Sequence, residues 1–274
     1  MCLLLLQGIS LRSLTRASAR SSTAGLESQQ PRRSPGGGGG LVPKDGGGPV
    51  AGGVPIGYTR KVGPRERHGT IEIAVFARAP VRGRVKTRLA EAVGTAEALA
   101  VYTELLQLTI AAVVTACQER NDLVPVLWHF GEWPGSFPLP APLESSLRRQ
   151  PHESMLENLR EVFRVDSRAP RRGTIALGSD HPAINPACVL SMASLLDDAD
   201  VAIGPAEDGG FWSLGAVVDI REALLELPVG TDAALAALER TALNAGFSTR
   251  RGPTLWDVDT VDDLRRWRGQ IHRG

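Results

Sequence analysis

The 274-residue chain is 42% hydrophobic and 22% charged, enough for one buried core, which excludes fibrous and wholly disordered classes. Its net charge of +1 hides an asymmetry: residues 1–68 carry ten Lys/Arg against three Asp/Glu, so the remainder has a net charge of −6, which argues against nucleic acid as a partner. Cys2, Cys117 and Cys188 form no CxxC pair and have no His at metal-ligand spacing, so neither a disulfide framework nor a zinc site is indicated, a reducing compartment fits, and no run is expected to reach the length of a membrane span.

Residues 1–68 are rich in Ser, Arg, Gly and Pro, with runs at Gly36–Gly40 and Gly46–Gly48, and bury too little apolar surface to offset the entropy of ordering. They read as a disordered extension preceding one domain over residues 69–274. Arg12, Arg16 and Arg20 among serines fit an organellar transit peptide, and a misassigned start fits equally, so the expected location is the cytoplasm or an organelle's matrix or stroma.

From residue 71 the chain alternates strand and helix. Ile71–Ala77 is a β-branched apolar strand, and Thr95–Gln118 has helical spacing of Ala, Leu and Ile. Leu123–Phe130 reads as a second strand, Trp133–Pro142 as a Pro-rich loop, and Ser154–Val165 as an amphipathic helix. Thr174–Leu177 is a third strand ending at Gly178-Ser179-Asp180. Asn185 as N-cap with Pro186 in the first turn opens a helix to about Leu196. Val201–Ile203 and Phe211–Leu214 are strands joined by the acidic turn Glu207-Asp208-Gly209-Gly210. Thr231 is expected to cap a helix that stops at Gly246, and Thr260 with Asp263 makes a capping box for the last helix. The alternation predicts an α/β domain with a mostly parallel sheet, helices on both faces, and ligands at the strands' carboxyl ends.

Three groups of residues fall at those ends. Arg78 to Arg88 holds Arg78, Arg82, Arg84, Lys86 and Arg88 without an acid, and Gly83 lets backbone amides approach an anion, so the loop suits phosphate although it lacks P-loop spacing. Asp180 follows a buried strand, where a carboxylate can hold Mg²⁺ or cap a turn; its neighbour His181 reads first as an exposed loop residue, and second as a ligand or base. Glu207-Asp208 and Asp257-Val258-Asp259 bring further acids, whose mutual repulsion a divalent metal would relieve. Trp212 reads as a core aromatic, and Cys117 and Cys188 as small buried hydrophobes.

Phe76-Ala77-Arg78-Ala79-Pro80, Lys86-Thr87-Arg88-Leu89, Gly178-Ser179-Asp180-His181-Pro182, Gly204-Pro205-Ala206-Glu207-Asp208-Gly209-Gly210-Phe211 and Asp257-Val258-Asp259-Thr260 resemble, in order, the motifs of the bacterial DUF2064 family. That family is glycosyltransferase-like, has members linked to arsenosugar biosynthesis, and is similar to the phospholactate guanylyltransferases. The resemblance implies the GT-A fold of nucleotide-diphospho-sugar transferases, a Rossmann-like single domain. It implies that Arg78, Gly83, Arg84, Lys86, Thr87 and Arg88 line nucleotide phosphates, that Asp180 and Asp259 hold Mg²⁺ or Mn²⁺, and that Asp208 and Glu207 face the acceptor. Where family members have Gly-Asp-Leu-Gly-x-Arg-Met, this chain reads Glu153 to Leu159, with Asn158 at the arginine's place; Phe211-Trp212 replaces a double tyrosine.

Under the first reading the chain is a glycosyltransferase acting on a nucleotide-sugar and a small-molecule acceptor. Lys86 and its loop neutralise the leaving nucleotide, and Asp208 or Glu207 assists an acceptor hydroxyl. The second is a nucleotidyltransferase joining a nucleoside triphosphate to a phosphorylated metabolite, whose anionic nucleophile needs no base. The third is a non-catalytic nucleotide-binding module.

Overall fold

The computed structural model describes residues 69–164 and 171–271; the extension expected over residues 1–68 lies outside the described residues. In chain order the elements are β1 (Ile71–Arg78), α1 (Thr87–Val93), α2 (Thr95–Glu119), β2 (Leu123–Phe130), α3 (Ala141–Glu144), β3 (Leu147–Arg149) and α4 (Met155–Val162). There follow β4 (Gly173–Leu177), α5 (Pro186–Asp198), β5 (Val201–Pro205), β6 (Phe211–Ala216), α6 (Ala234–Asn244), β7 (Thr249–Arg251) and α7 (Val261–Ile271).

The strands form one sheet in the order β3-β2-β1-β4-β6-β5-β7. Only β6 runs antiparallel to its neighbours, β4 and β5; the other pairings are parallel. The carboxyl ends of β1, β2, β4 and β5 therefore share one edge.

Strand β1 explains why both faces are covered. Alternate side chains of a strand leave on opposite sides, so Ile71, Ile73, Val75 and Ala77 enter a cluster with α2 and α5, while Ala74 and Phe76 enter another with α4 and α6. A third cluster joins Leu89 of α1 and Leu105 of α2 to Trp256, Val258 and Trp267. Glu72, the acidic residue of β1, is buried but accepts from Trp128 Nε1 at 3.3 Å and from Arg171 Nη1 at 2.7 Å.

By length and composition α2 is long and apolar enough to cross a membrane, against the sequence expectation. Its Leu106, Ile110 and Val113 are buried in the cluster shared with β1, β2 and α5, and its Val101 and Leu105 in the cluster shared with α1. Cys117 and Cys188 sit on α2 and α5, and burial pushes the Cys117 thiol up to about 11.

The caps at Asn185 and Thr260 form as the sequence indicated. Asn185 Oδ1 accepts from Cys188 N at 3.2 Å, and Asp263 Oδ2 accepts from Thr260 N at 2.8 Å while Thr260 Oγ1 accepts from Asp263 N at 3.2 Å. Gly246, at φ 77°, ends α6, with Phe247 N donating to Ala242 O at 3.0 Å. Two boundaries differ. The N-cap of α6 is Ala233, and Thr231 instead accepts from Ala233 N at 3.3 Å, forming the turn before the helix. Helix α4 stops at Val162, and Val165 lies outside the described residues.

Candidate functional site

The basic loop leaves β1 through tight turns, with Val81 N donating to Ala79 O at 2.8 Å and Arg84 N to Val81 O at 3.0 Å. Gly83 lies at φ 75°, a conformation favouring glycine. Arg82, Arg84, Thr87 and Arg88 are exposed. Lys86 is the exception: it is buried, and its backbone lies in the left-handed region at φ 44°, ψ 48°. That conformation costs a non-glycine residue roughly 1 kcal/mol and turns its side chain inward just before Leu89 anchors α1 in the core.

Tyr102, which the sequence reading passed over, fixes the end of β1. Its hydroxyl accepts from Arg78 N at 2.8 Å and donates to Arg78 O at 2.9 Å, and burial pushes its pKa up to about 12. The Arg78 guanidinium donates to Arg84 O at 2.9 Å and lies 5.2 Å from the Phe130 ring. Burial lowers its pKa to about 10, so it stays charged at neutral pH.

The acids come from two segments. Asp180 follows β4, and its carbonyl accepts from Val258 N at 3.2 Å, tying β4 to the segment that precedes α7. In that segment Val258 is buried in the third cluster, while Asp257 and Asp259 on either side of it both approach Asp180. One ligand atom from each of Asp180, Asp257 and Asp259 lies within 4.8 Å of the others. Lys86 Nζ stands among them, donating to Asp180 Oδ2 at 3.0 Å and to Asp259 Oδ1 at 2.8 Å. Burial opposes the ammonium's charge, but Asp180, Asp259 and Asp257 outweigh it and hold its pKa above the ordinary lysine value. Asp257 is pushed up to about 8, first by burial and then by the charges of Asp180 and Asp259.

His181 departs from expectation. It is fully buried rather than exposed, with Nδ1 3.2 Å from Trp256 O and Nε2 3.2 Å from Asp180 Oδ1. Burial lowers its pKa. The ring thus lies between the two acid-bearing segments, beside the Asp180 oxygen that Lys86 does not contact. His-Pro after an aspartate gave no signal for this, because the neighbours that cover the ring are distant in sequence: Trp256, and Trp212 at 6.2 Å in an edge-on contact. Trp212 is itself wholly buried, as read.

The acidic turn after β5 is attached beside the same segment: Glu207 N donates to Leu255 O at 3.0 Å. Glu207 is exposed and forms a two-pronged pair with Arg266 at 2.7 and 2.9 Å, which holds its carboxyl below the usual range. Arg266 also lies 4.0 Å from the Trp256 ring. Asp208 is half-buried, and its Oδ1 accepts from Gly210 N at 2.9 Å. The structure therefore brings Lys86, Asp180 and Asp259 into direct contact, adds Asp257, and places Glu207 in a separate ion pair.

Beyond the ends of β1, β2 and β3 two cavities adjoin at Phe130 and Gly131. One, of about 380 Å³, is lined by Arg78, Val81, Arg84 and Glu132 among others; the second, of about 460 Å³, by Arg149, Pro151, His152 and Glu153. Asn158, at the place of the family's arginine, is buried below this second cavity's wall. It donates to Gln150 Oε1 at 3.2 Å and His152 O at 2.8 Å and accepts from His152 N at 3.0 Å. It braces the loop.

Three carboxylates converging on one point supply the oxygen ligands that Mg²⁺ and Mn²⁺ take, and a lysine ammonium already standing among them shows that the site's field holds a cation.

Among solved structures the fold is similar to that of a candidate nucleotide-diphospho-sugar transferase from Desulfovibrio desulfuricans G20, with a TM-score of 0.62 and 23% identity over 72% of this chain and 85% of that one. More distant likenesses include the inositol-1-phosphate CTP transferase of T. maritima (TM-score 0.42, 11% identity, 76% of this chain and 98% of that one). Glucosyl-3-phosphoglycerate synthase of Mycobacterium tuberculosis, in complex with Mg²⁺ and UDP, gives a TM-score of 0.43 and 12% identity over 74% of this chain and 77% of that one. No curated protein matches the chain. Residues 110–231 match the family model of DUF2064, described as "Uncharacterized protein conserved in bacteria", and the resemblance read from the ordered motifs holds over the segment that carries Asp180, Glu207 and Asp208.

Proposed function

We propose that the chain is a metal-dependent transferase that grips a nucleotide by its phosphates. The observation that carries this reading is the meeting of Lys86 with Asp180 and Asp259 at one edge of the sheet, next to a loop of exposed arginines. Asp180, Asp257 and Asp259 would hold Mg²⁺ or Mn²⁺, which supplies charge stabilisation to phosphate oxygens when bound. Arg84 and Arg88 offer forked donors to phosphate, and Arg78 lines one of the two adjoining cavities, whose sizes suit a nucleoside. Lys86 supplies a compact charge where negative charge grows on the leaving phosphate.

In the first reading the donor is a nucleotide-sugar and the reaction is glycosyl transfer. Asp208 is then the residue placed to orient or deprotonate the acceptor hydroxyl, since the pairing of Glu207 with Arg266 lowers its basicity. The second reading, nucleotidyl transfer to a phosphorylated acceptor, is favoured by Lys86 being the fully buried cation of the site: an anionic nucleophile needs charge neutralisation rather than a base.

A thermal-shift screen of nucleoside triphosphates and nucleotide-sugars, with and without Mn²⁺, tests the shared part; metal and nucleotide are expected to stabilise the protein together, and the reading fails if no nucleotide does so. Products separate the two reactions. Pyrophosphate release from a triphosphate marks nucleotidyl transfer, and loss of sugar transfer in Asp208→Asn marks the first reading.

A further inference from the structure

We infer that Lys86 is an exchangeable cation: its ammonium occupies the divalent-ion position of the resting site and yields it only when a phosphate draws the side chain away, so that metal and nucleotide enter together. The inference rests on the proposed nucleotide site and adds to it an order of events.

Geometry requires the exchange. An ion ligated by Asp180 and Asp259 lies roughly 2.0–2.6 Å from one oxygen of each. Lys86 Nζ already stands 3.0 Å from Asp180 Oδ2 and 2.8 Å from Asp259 Oδ1, in the gap those oxygens define. The alternative oxygen of Asp180 is met by His181 Nε2 at 3.2 Å, so Oδ2 is the one turned towards a cation. An ammonium and a divalent ion in that gap would repel across a few ångströms of buried, poorly screened space. One must leave.

The chain provides a route out. Lys86 is the only residue other than glycine with positive φ among the described residues, and the two ion pairs of its side chain are contacts that offset this backbone cost in the resting site. Its neighbours Arg84, Thr87 and Arg88 face solvent, so a phosphate bound by them lies on the side to which a four-carbon side chain can swing. The lysine then exchanges two carboxylates for phosphate oxygens, and the carboxylates exchange one charge for two. By linkage, phosphate raises metal affinity by the same factor as metal raises phosphate affinity.

The test uses the full chain, Mn²⁺ and inorganic pyrophosphate as probes, with binding measured by calorimetry. Lys86→Met removes the charge at similar length. Without pyrophosphate it should bind Mn²⁺ at least about tenfold tighter than wild type, because no ammonium has to be displaced. Pyrophosphate should raise wild-type Mn²⁺ affinity by about tenfold or more beyond the Mn²⁺ that pyrophosphate takes up alone, and raise it much less in the variant.

Equal Mn²⁺ affinity of the two proteins without pyrophosphate would overturn the inference. If Lys86→Met folds only with Mn²⁺, the larger stabilisation of the variant by the ion gives the same support; if it does not fold at all, Lys86→Gln carries the comparison. A wild type that binds nucleotides but shows no difference from the variant defeats only this inference, whereas one that binds no nucleotide defeats the transferase reading.

Discussion

Replacing Asp257 by asparagine should make the metal-free protein more stable, increasingly so as pH rises. Asp257 has a folded-state pKa pushed up from an ordinary 3.8 to about 8 by burial and by Asp180 and Asp259. A group raised in this way contributes its stability fully below the unfolded pKa of about 4 and loses it as pH climbs towards 8, because the unfolded chain ionises there and the folded site does not. Each pH unit inside that window is worth at most about 1.4 kcal/mol. Between about pH 5.5 and about pH 7.5 the limit is therefore about 2.7 kcal/mol, and sharing the proton with the neighbouring carboxylates reduces it to roughly 1–2.5 kcal/mol. Against a total stability on the order of 5–15 kcal/mol, that is readily measured. The assay is urea unfolding of wild type and Asp257→Asn in chelator at several pH values. All other titrating groups are common to both proteins, so their difference isolates this site. A stability difference that stays flat across the window would refute the argument that these three carboxylates are crowded in a buried site.

Tyr102→Phe removes the hydroxyl that bonds Arg78 N and O and should lower unfolding stability by about 1–3 kcal/mol while keeping the ring's packing; denaturant midpoints of variant and wild type decide it, and equal midpoints speak against the clamp on β1. Gly209→Ala should destabilise strongly, roughly 2 kcal/mol or more, because φ is 84° and a Cβ would collide with the backbone of Asp232; an unchanged melting temperature would show that the turn carrying Asp208 is free to relax. Asn158→Ala removes three hydrogen bonds from the loop 150–152, and exchange of the His152 amide, followed by NMR, should accelerate by about tenfold or more.

The fold was largely legible because its strands are short β-branched runs closed by Gly, Pro or Asp, and because Asn185, Gly246 and Thr260 are local signals that act within a few residues. The strands β3 and β7 were not, since three-residue edge strands such as Leu147–Arg149 and Thr249–Arg251 have no period of their own and exist through pairing with β2 and β5. Thr231 shows the limit of a capping rule: it lies two residues before the true N-cap, where the turn from Pro228 decides the entry of the helix. In the site, acids at strand ends could be found by position. What they touch could not. The burial of His181 depends on Trp212 and Trp256 arriving from β6 and from the segment before α7, and the two hydrogen bonds of Tyr102 to Arg78 span 24 residues of chain. Helical spacing does place Tyr102 on the buried face of α2, and a buried tyrosine hydroxyl must find a partner, a signal that points to a contact without naming it.

The most direct test is anomalous diffraction at the manganese edge from crystals of the full chain grown with Mn²⁺ and pyrophosphate. The account predicts an Mn²⁺ peak ligated by Asp180 and Asp259, with Lys86 withdrawn from both and turned to the phosphates. A peak away from these two aspartates, or pyrophosphate bound with Lys86 still seated between them, would contradict it.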